Sequence, residues 1–171
     1  ALESGSKYSE SETLKTWDPK KLVEELNDLK VTLTSLVPTQ LFDLIPLKSK
    51  LPKSLRAIFI GGGFLDPALR AEFQEQPIWK TYAMTEACST VAIQRPGVVR
   101  FDRLNCINIR LSIDEEIELS GPSLFSGYIS EDGESIDRGD WYNTHDIGAI
   151  HATIDGSMAL EIFGRRDGIA K

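Results

Sequence analysis

Within five consecutive residues, Tyr82-Ala83-Met84-Thr85-Glu86, the sequence sets an aromatic ring, a hydroxyl and a carboxylate. Such a set can stack a planar base, donate to a phosphate oxygen and hold a hard cation. The same residues also suit a helix start capped by Thr85. Upstream, Gly61-Gly62-Gly63 offers backbone without a Cβ, which lets the main chain approach a flat or phosphorylated ligand closely. A tight strand-to-helix turn is the other use of such a run.

Several other chemistries are excluded. The nearest approach to G-x-S-x-G is Gly121-Pro122-Ser123-Leu124-Phe125, with Phe in place of the second Gly, so a Ser-His-Asp hydrolase is unsupported. No G-x-x-x-x-G-K-[ST] loop occurs, and Gly61-Gly62-Gly63-Phe64-Leu65-Asp66 lacks the last Gly of the dinucleotide fingerprint. Cys88, Cys106, His145 and His151 are too scattered for a structural zinc site. Two cysteines are too few for a disulfide framework and fit a reducing, cytoplasmic compartment. With 19 basic against 26 acidic residues, the net charge of −7 disfavours a surface that tracks a phosphate backbone, so nucleic acid is not an expected partner. The longest nearly apolar run, Ala57 to Leu65, is half of the roughly 18 residues a membrane span needs. The amino end lacks the layout of a secretion signal and an initiator Met, and the chain stops after Gly164-Arg165-Arg166-Asp167-Gly168 without a cap or polar tail. A piece of a longer protein is expected.

The elements that must carry these residues fall into two textures. From Leu22 to about Tyr82 helical and extended patterns alternate. A helix is expected after Asp18-Pro19, a strand over 31–37, a helix from Pro38 through Ile45, and a buried strand over 55–60. Another helix follows from Asp66-Pro67 to about Gln74, and a third strand spans 77–82. This β-α-β-α-β order argues for a parallel sheet with helical crossovers, whose ligand crevice lies beyond the carboxyl ends of the strands, after Ile60 and after Tyr82. After about Arg95, period-two stretches such as 107–113 and 116–119 are separated by turn signals at Asp114-Glu115, Gly121-Pro122, Asp132-Gly133, Gly139-Asp140 and Asp155-Gly156, the last between expected strands over 149–154 and 158–163. A small antiparallel sheet or distorted barrel is therefore expected to follow the α/β lobe. The division runs 1–95 for the lobe, 96–164 for the β-rich part and 165–171 for a terminal segment. Only the Ser/Glu-rich start, Glu3 to Glu12, is of low complexity and expected to be loose.

In order and spacing, five segments together resemble the adenylate-forming superfamily of acyl-CoA synthetases, luciferases and peptide-synthetase adenylation domains. They are Gly61-Gly62-Gly63, Tyr82-Ala83-Met84-Thr85-Glu86, the run from Gly121 to Tyr128, Trp141-Tyr142-Asn143-Thr144-His145-Asp146, and Gly164-Arg165-Arg166-Asp167. Within that group, residues 34–41 and 84–89 are most similar to the o-succinylbenzoate-CoA ligase branch of menaquinone biosynthesis. The resemblance implies an α/β AMP-binding fold and a reaction in which a small-molecule carboxylate attacks the α-phosphate of ATP and the acyl group then passes to CoA. ATP, Mg²⁺ and CoA would be the cofactors and co-substrates. Another carboxylic acid, a carrier-protein acceptor, or a non-catalytic nucleotide-binding or interaction module are the alternative readings.

By the same resemblance, Gly61, Gly62 and Gly63 approach the nucleotide, Tyr82 lies against adenine, Thr85 bonds the α-phosphate and Glu86 helps hold Mg²⁺. Asp146 receives the ribose hydroxyls, suited by its two acceptor oxygens, and the always-charged fork of Arg165 reaches the ribose and phosphate side. Thr81, Cys88 and Ser89 line the acyl pocket, and Asp167 is the hinge to a carboxy-terminal domain. A Ser/Thr/Gly-Lys phosphate loop and that lysine-bearing domain are the expected remainder of the enzyme, so this stretch alone is expected to be inactive. Taken singly, Asp146 also reads as a turn cap, Arg165 as a solvated charge, Cys88 as a small buried hydrophobe, and Tyr128 and Trp141 as packing. His145 stands where the superfamily usually has Gly, which demands either a different local backbone or a changed nucleotide affinity.

Overall fold

The computed structural model describes residues 5–9, 16–133, 135–137, 139–153 and 158–168. Helix α1 (Pro19–Asp28) starts where the Asp18 carboxylate accepts the Lys20 and Lys21 amides at 2.9 and 3.2 Å, a cap worth about 1 kcal/mol. It buries Leu22, Val23 and Leu26 on one face. Strand β1 (Leu33–Leu36) leads into α2 (Pro38–Asp43), whose Gln40 side chain accepts the Val37 amide. The helix expected through Ile45 stops at Asp43, and a 3-10 helix runs from Ile45 to Lys50. Pro46 explains the break, since it lacks an N–H and disfavours the α conformation at Ile45. Then follow β2 (Ala57–Ile60), α3 (Pro67–Glu72) capped by Asp66, and β3 (Ile78–Met84). Strands β1, β2 and β3 pair in parallel, as the alternation requires.

A 3-10 turn (Thr85–Ala87) reverses the chain into β4 (Ser89–Gln94), antiparallel to β3. Next come β5 (Phe101–Arg103), β6 (Asn108–Leu111), β7 (Glu116–Ser120), β8 (Gly127–Ile129), β9 (Ser135–Asp137), β10 (Tyr142–Ala152) and β11 (Met158–Arg165). Nine strands form one sheet in the order β1-β2-β3-β4-β5-β11-β10-β7-β6, and β8 and β9 form a separate ribbon. Of the two shapes expected for the second half, the sheet is found and the barrel is not. The β3–β4 reversal welds the antiparallel strands onto the parallel ones, leaving β1 and β6 as open edges.

The core has two parts. One gathers α1, α2 and the parallel strands around Leu41, Leu44, Ile58, Ile60, Phe73 and Ile78; the other lies between Ala87 and Leu160, around Val91, Ile107, Ile117 and Leu119. The Asp155-Gly156 turn, the strand end at Ile154, half of the Ser/Glu-rich start and the chain end at 169–171 lie outside the described residues. Among the described residues, no helix is long and apolar enough to cross a membrane.

Candidate functional site

Strand β3 presents its side chains alternately to two sides. Tyr82 and Met84 pack on the second core cluster, whereas Thr81 and Ala83 line a cleft on the other side. The Tyr82 hydroxyl donates to Asp146 Oδ2 at 2.6 Å, a bond between residues 64 apart in sequence. Burial first, and then the charge of Asp146, push the Tyr82 phenol well above its ordinary range, so it stays a donor. A hydrogen bond to a charged group of this kind contributes about 1.5–3 kcal/mol.

Asp146 is not a turn cap; it lies inside β10. There the strand bulges against β7: Asn143 pairs with Glu118 and Ile147 with Glu116, so three residues face one. The Thr144 hydroxyl holds the bulge by donating to the Ile117 carbonyl at 2.9 Å and accepting the Asp146 amide at 3.1 Å. His145 adopts a left-handed backbone, φ +59°, a conformation natural to Gly and uncommon for other residues. The imidazole Nδ1 lies 3.4 Å from Glu116 Oε1 on β7.

Arg165 ends β11 directly opposite Asp146 in the ladder, with Nη1 4.0 Å from Asp146 Oδ1. Their side chains are 22% and 14% exposed, so Arg165 is not a freely solvated charge. Its Nε and Nη2 donate to Asp167 at 3.1 Å, which raises the guanidinium's already high pKa.

Glu86 joins this assembly from the 3-10 turn. Its Oε1 accepts the Tyr128 hydroxyl at 3.0 Å, and its carbonyl accepts the Phe125 amide at 2.8 Å. The Tyr128 hydroxyl is 3.3 Å from that of Tyr142, and both rings meet Phe125 edge-on. Burial, then the Tyr128 hydroxyl and the Glu86 charge, push the Tyr142 phenol upward, while the Arg165 charge draws it down. Contacts thus run from Glu86 through Tyr128 to Tyr142, whose phenol feels the charge of Arg165, the residue facing Asp146. Thr85 sits exposed beside Glu86, at the first position of the turn and not at its cap. Tyr128, nearly half exposed on the separate ribbon, packs edge-on against Phe125 outside the core, and its hydroxyl reaches Glu86. Trp141 does pack, under the Arg110 guanidinium at 4.1 Å.

The cleft on the opposite face, about 510 Å³, is lined by Ser35, Phe59, Gly61, Gly62, Thr81 and Ser89 among others. At Gly61 a Cβ would collide with the Thr81 hydroxyl, which donates to the Ile60 carbonyl at 3.2 Å. Gly63 is exposed over the ring of Pro38 and does not line the cleft. Neither does Cys88, which is an exposed free thiol with φ +60° and not a buried hydrophobe, since the turn leading into β4 rotates it outward. Phe125 and Tyr142 lie within segments that the sequence marks, but it assigns no role to them or to Glu116, because each acts by meeting a residue from a distant segment.

The family model "AMP-binding enzyme" matches residues 2–129. The 2-succinylbenzoate–CoA ligase of Bacillus licheniformis is 28% identical over 152 residues, covering 77% of this chain and 32% of the relative. Among solved structures, E. coli MenE with a bound phenylether-linked analogue of OSB-AMS aligns with a TM-score of 0.71 at 28% identity, over 89% of this chain and 33% of that one. The o-succinylbenzoate coenzyme A synthetase of Bacillus subtilis in complex with ATP and magnesium gives 0.71 at 25% identity, over 88% and 35%. The chain therefore spans about a third of the length of the relatives it matches. With the ordered motifs, the mixed open sheet and the family match in agreement over more than half of its residues, the chain belongs to the AMP-binding enzyme family.

Proposed function

We propose that the chain is the nucleotide-holding part of an ATP-dependent carboxylate–CoA ligase, acting on o-succinylbenzoate as its relatives' names state, in the cytoplasm. The observation that carries this reading is the convergence of Tyr82, Asp146 and Arg165, from three strands, with Glu86 linked to them through Tyr128 and Tyr142. Asp146 Oδ1, 4.0 Å from Arg165 Nη1, keeps acceptor capacity beyond the Tyr82 bond to Oδ2, and with it the carboxylate would receive the ribose hydroxyls. Arg165 supplies a fixed positive charge beside it, and the exposed Thr85 hydroxyl is free to donate to a phosphate oxygen. Thr81 and Ser89 would shape the cleft for the acid on the other side of β3, and Gly61 and Gly62, expected to approach the nucleotide, line the same cleft, with Cys88 and Gly63 outside it. His145 fits this reading, because its left-handed backbone takes the place of the usual Gly and its imidazole engages Glu116.

Among the described residues, no group of three or more His, Cys, Asp or Glu side chains is arranged to cage a metal. A single carboxylate, Glu86, suits Mg²⁺, which is commonly held by one or two carboxylates together with substrate phosphates. When bound there, Mg²⁺ would neutralise charge on the phosphates. The reaction is attack of a carboxylate oxygen on the α-phosphorus of ATP, with pyrophosphate leaving, then attack of the CoA thiol sulfur on the acyl carbon, with AMP leaving and the thiol proton released. Residues 1–95 would form the nucleotide lobe, 96–164 its β-rich wall, and 165–171, with Asp167, the hinge. A phosphate loop and a lysine-bearing domain would complete the enzyme.

The test is incubation of the full-length gene product with o-succinylbenzoate, ATP and CoA, with mass detection of the thioester and AMP. Asp146→Ala should raise KM for ATP by at least about tenfold, as expected when a charged hydrogen bond is lost. Absence of thioester with this acid while other acids react would retain the reaction class and reject the substrate.

A further inference from the structure

Behind the bulge that carries Asp146 lies a buried acid. The Glu116 side chain is 5% exposed. Its Oε2 accepts Asn143 Nδ2 at 2.7 Å, and its Oε1 lies 3.2 Å from Arg166 Nη1 and 3.4 Å from His145 Nδ1. Two of these partners adjoin the proposed nucleotide ligands: His145 precedes Asp146, and Arg166 follows Arg165. The Arg166 amide donates to the His145 carbonyl at 2.9 Å, and the His145 amide donates to Asn143 Oδ1 at 2.8 Å, which closes the knot. The Asn143 amide, with Arg166 and His145 beyond it, holds the Glu116 carboxyl below its usual range against the opposing effect of burial. An acceptor-only group is what donors from separate segments require; a Gln in its place would turn an NH₂ toward one of them.

We infer that Glu116 is a positioning residue for the nucleotide: from the reverse side of the sheet it fixes the β10 bulge and the end of β11, and thereby the separation of Asp146 and Arg165. This rests on the reading that those two residues face the ribose. The knot shares no side chain with the Tyr82–Asp146 bond, and it adjoins the site through the backbone at 145–146 and 165–166.

The test is a double-mutant cycle on the full-length protein, read as the Kd for AMP by calorimetry well below the melting temperature. Asp146→Asn should weaken AMP binding by about tenfold, and Glu116→Gln by a comparable factor. In the Asp146→Asn background, Glu116→Gln should change the Kd by less than twofold, because its effect acts through Asp146. An unchanged Kd for Glu116→Gln, or the same loss in both backgrounds, overturns the inference and leaves Glu116 a stabilising residue only. If Asp146→Asn itself leaves AMP binding unchanged, the nucleotide reading falls and this inference with it. Should Glu116→Gln not fold, the same cycle with Arg166→Gln, whose side chain is 54% exposed, reads the same coupling, at about threefold.

Discussion

At Gly61 one methyl group would disturb the end of the parallel sheet. Its φ is not in the left-handed region, so an Ala is tolerated by the backbone; the conflict is with the Thr81 hydroxyl. To admit the methyl, Thr81 must rotate and give up its bond to the Ile60 carbonyl. Gly61→Ala should therefore destabilise by about 1–3 kcal/mol, the range for overpacking, and the Gly61→Ala/Thr81→Ala pair should recover most of that in urea unfolding. Equal losses in the single and double variants would mean that the strain lies elsewhere. His145 is a second residue whose conformation outweighs its type. A non-Gly residue in the left-handed region costs roughly 1–2 kcal/mol, and bonds to Asn143 and Glu116 hold it there.

Among the elements, β10 does the most to build the site, and it was the least legible in advance. The sequence predicts the later strand of this region from about Ala149, but the strand begins at Tyr142 and absorbs the whole Trp141–Asp146 motif. Polar Asn143, Thr144, His145 and Asp146 break the alternation that marks a strand, and they are accommodated only because β7 supplies the bulge partners. Capped helices and short apolar strands were readable because their causes are local: Asp18 and Asp66 before Pro, or apolar runs ended by glycines. The Tyr128–Glu86 and Tyr82–Asp146 bonds were not, since they span 42 and 64 residues. The bulge also needs Gly148. A Cβ there would strike the Glu161 carbonyl of β11 and come within 2.9 Å of Ile117 Cδ1 of β7, backbone on one side and core on the other. Gly148→Ala should cost more than Gly61→Ala, about 3 kcal/mol by thermal unfolding, because a carbonyl in a ladder cannot rotate aside. A smaller loss than at Gly61 would mean that the β10–β11 pair slides to make room.

On the scale of the whole molecule, one open sheet joins two core clusters, and the chain corresponds to about a third of its relatives' length. The 171 residues alone should give no ATP–pyrophosphate exchange, measured with labelled pyrophosphate and o-succinylbenzoate. Appreciable exchange would make the phosphate loop and the lysine-bearing domain dispensable. Finally, β3 works as a party wall. Its odd-numbered residues, Thr81 and Ala83, furnish one room, and its even-numbered ones, Tyr82 and Met84, furnish the room next door. Inserting or deleting a single residue would swap the furnishings of both rooms at once. Point changes at 81 and 83 therefore reshape the cleft side without touching the other, whereas any change in the length of this stretch disturbs both.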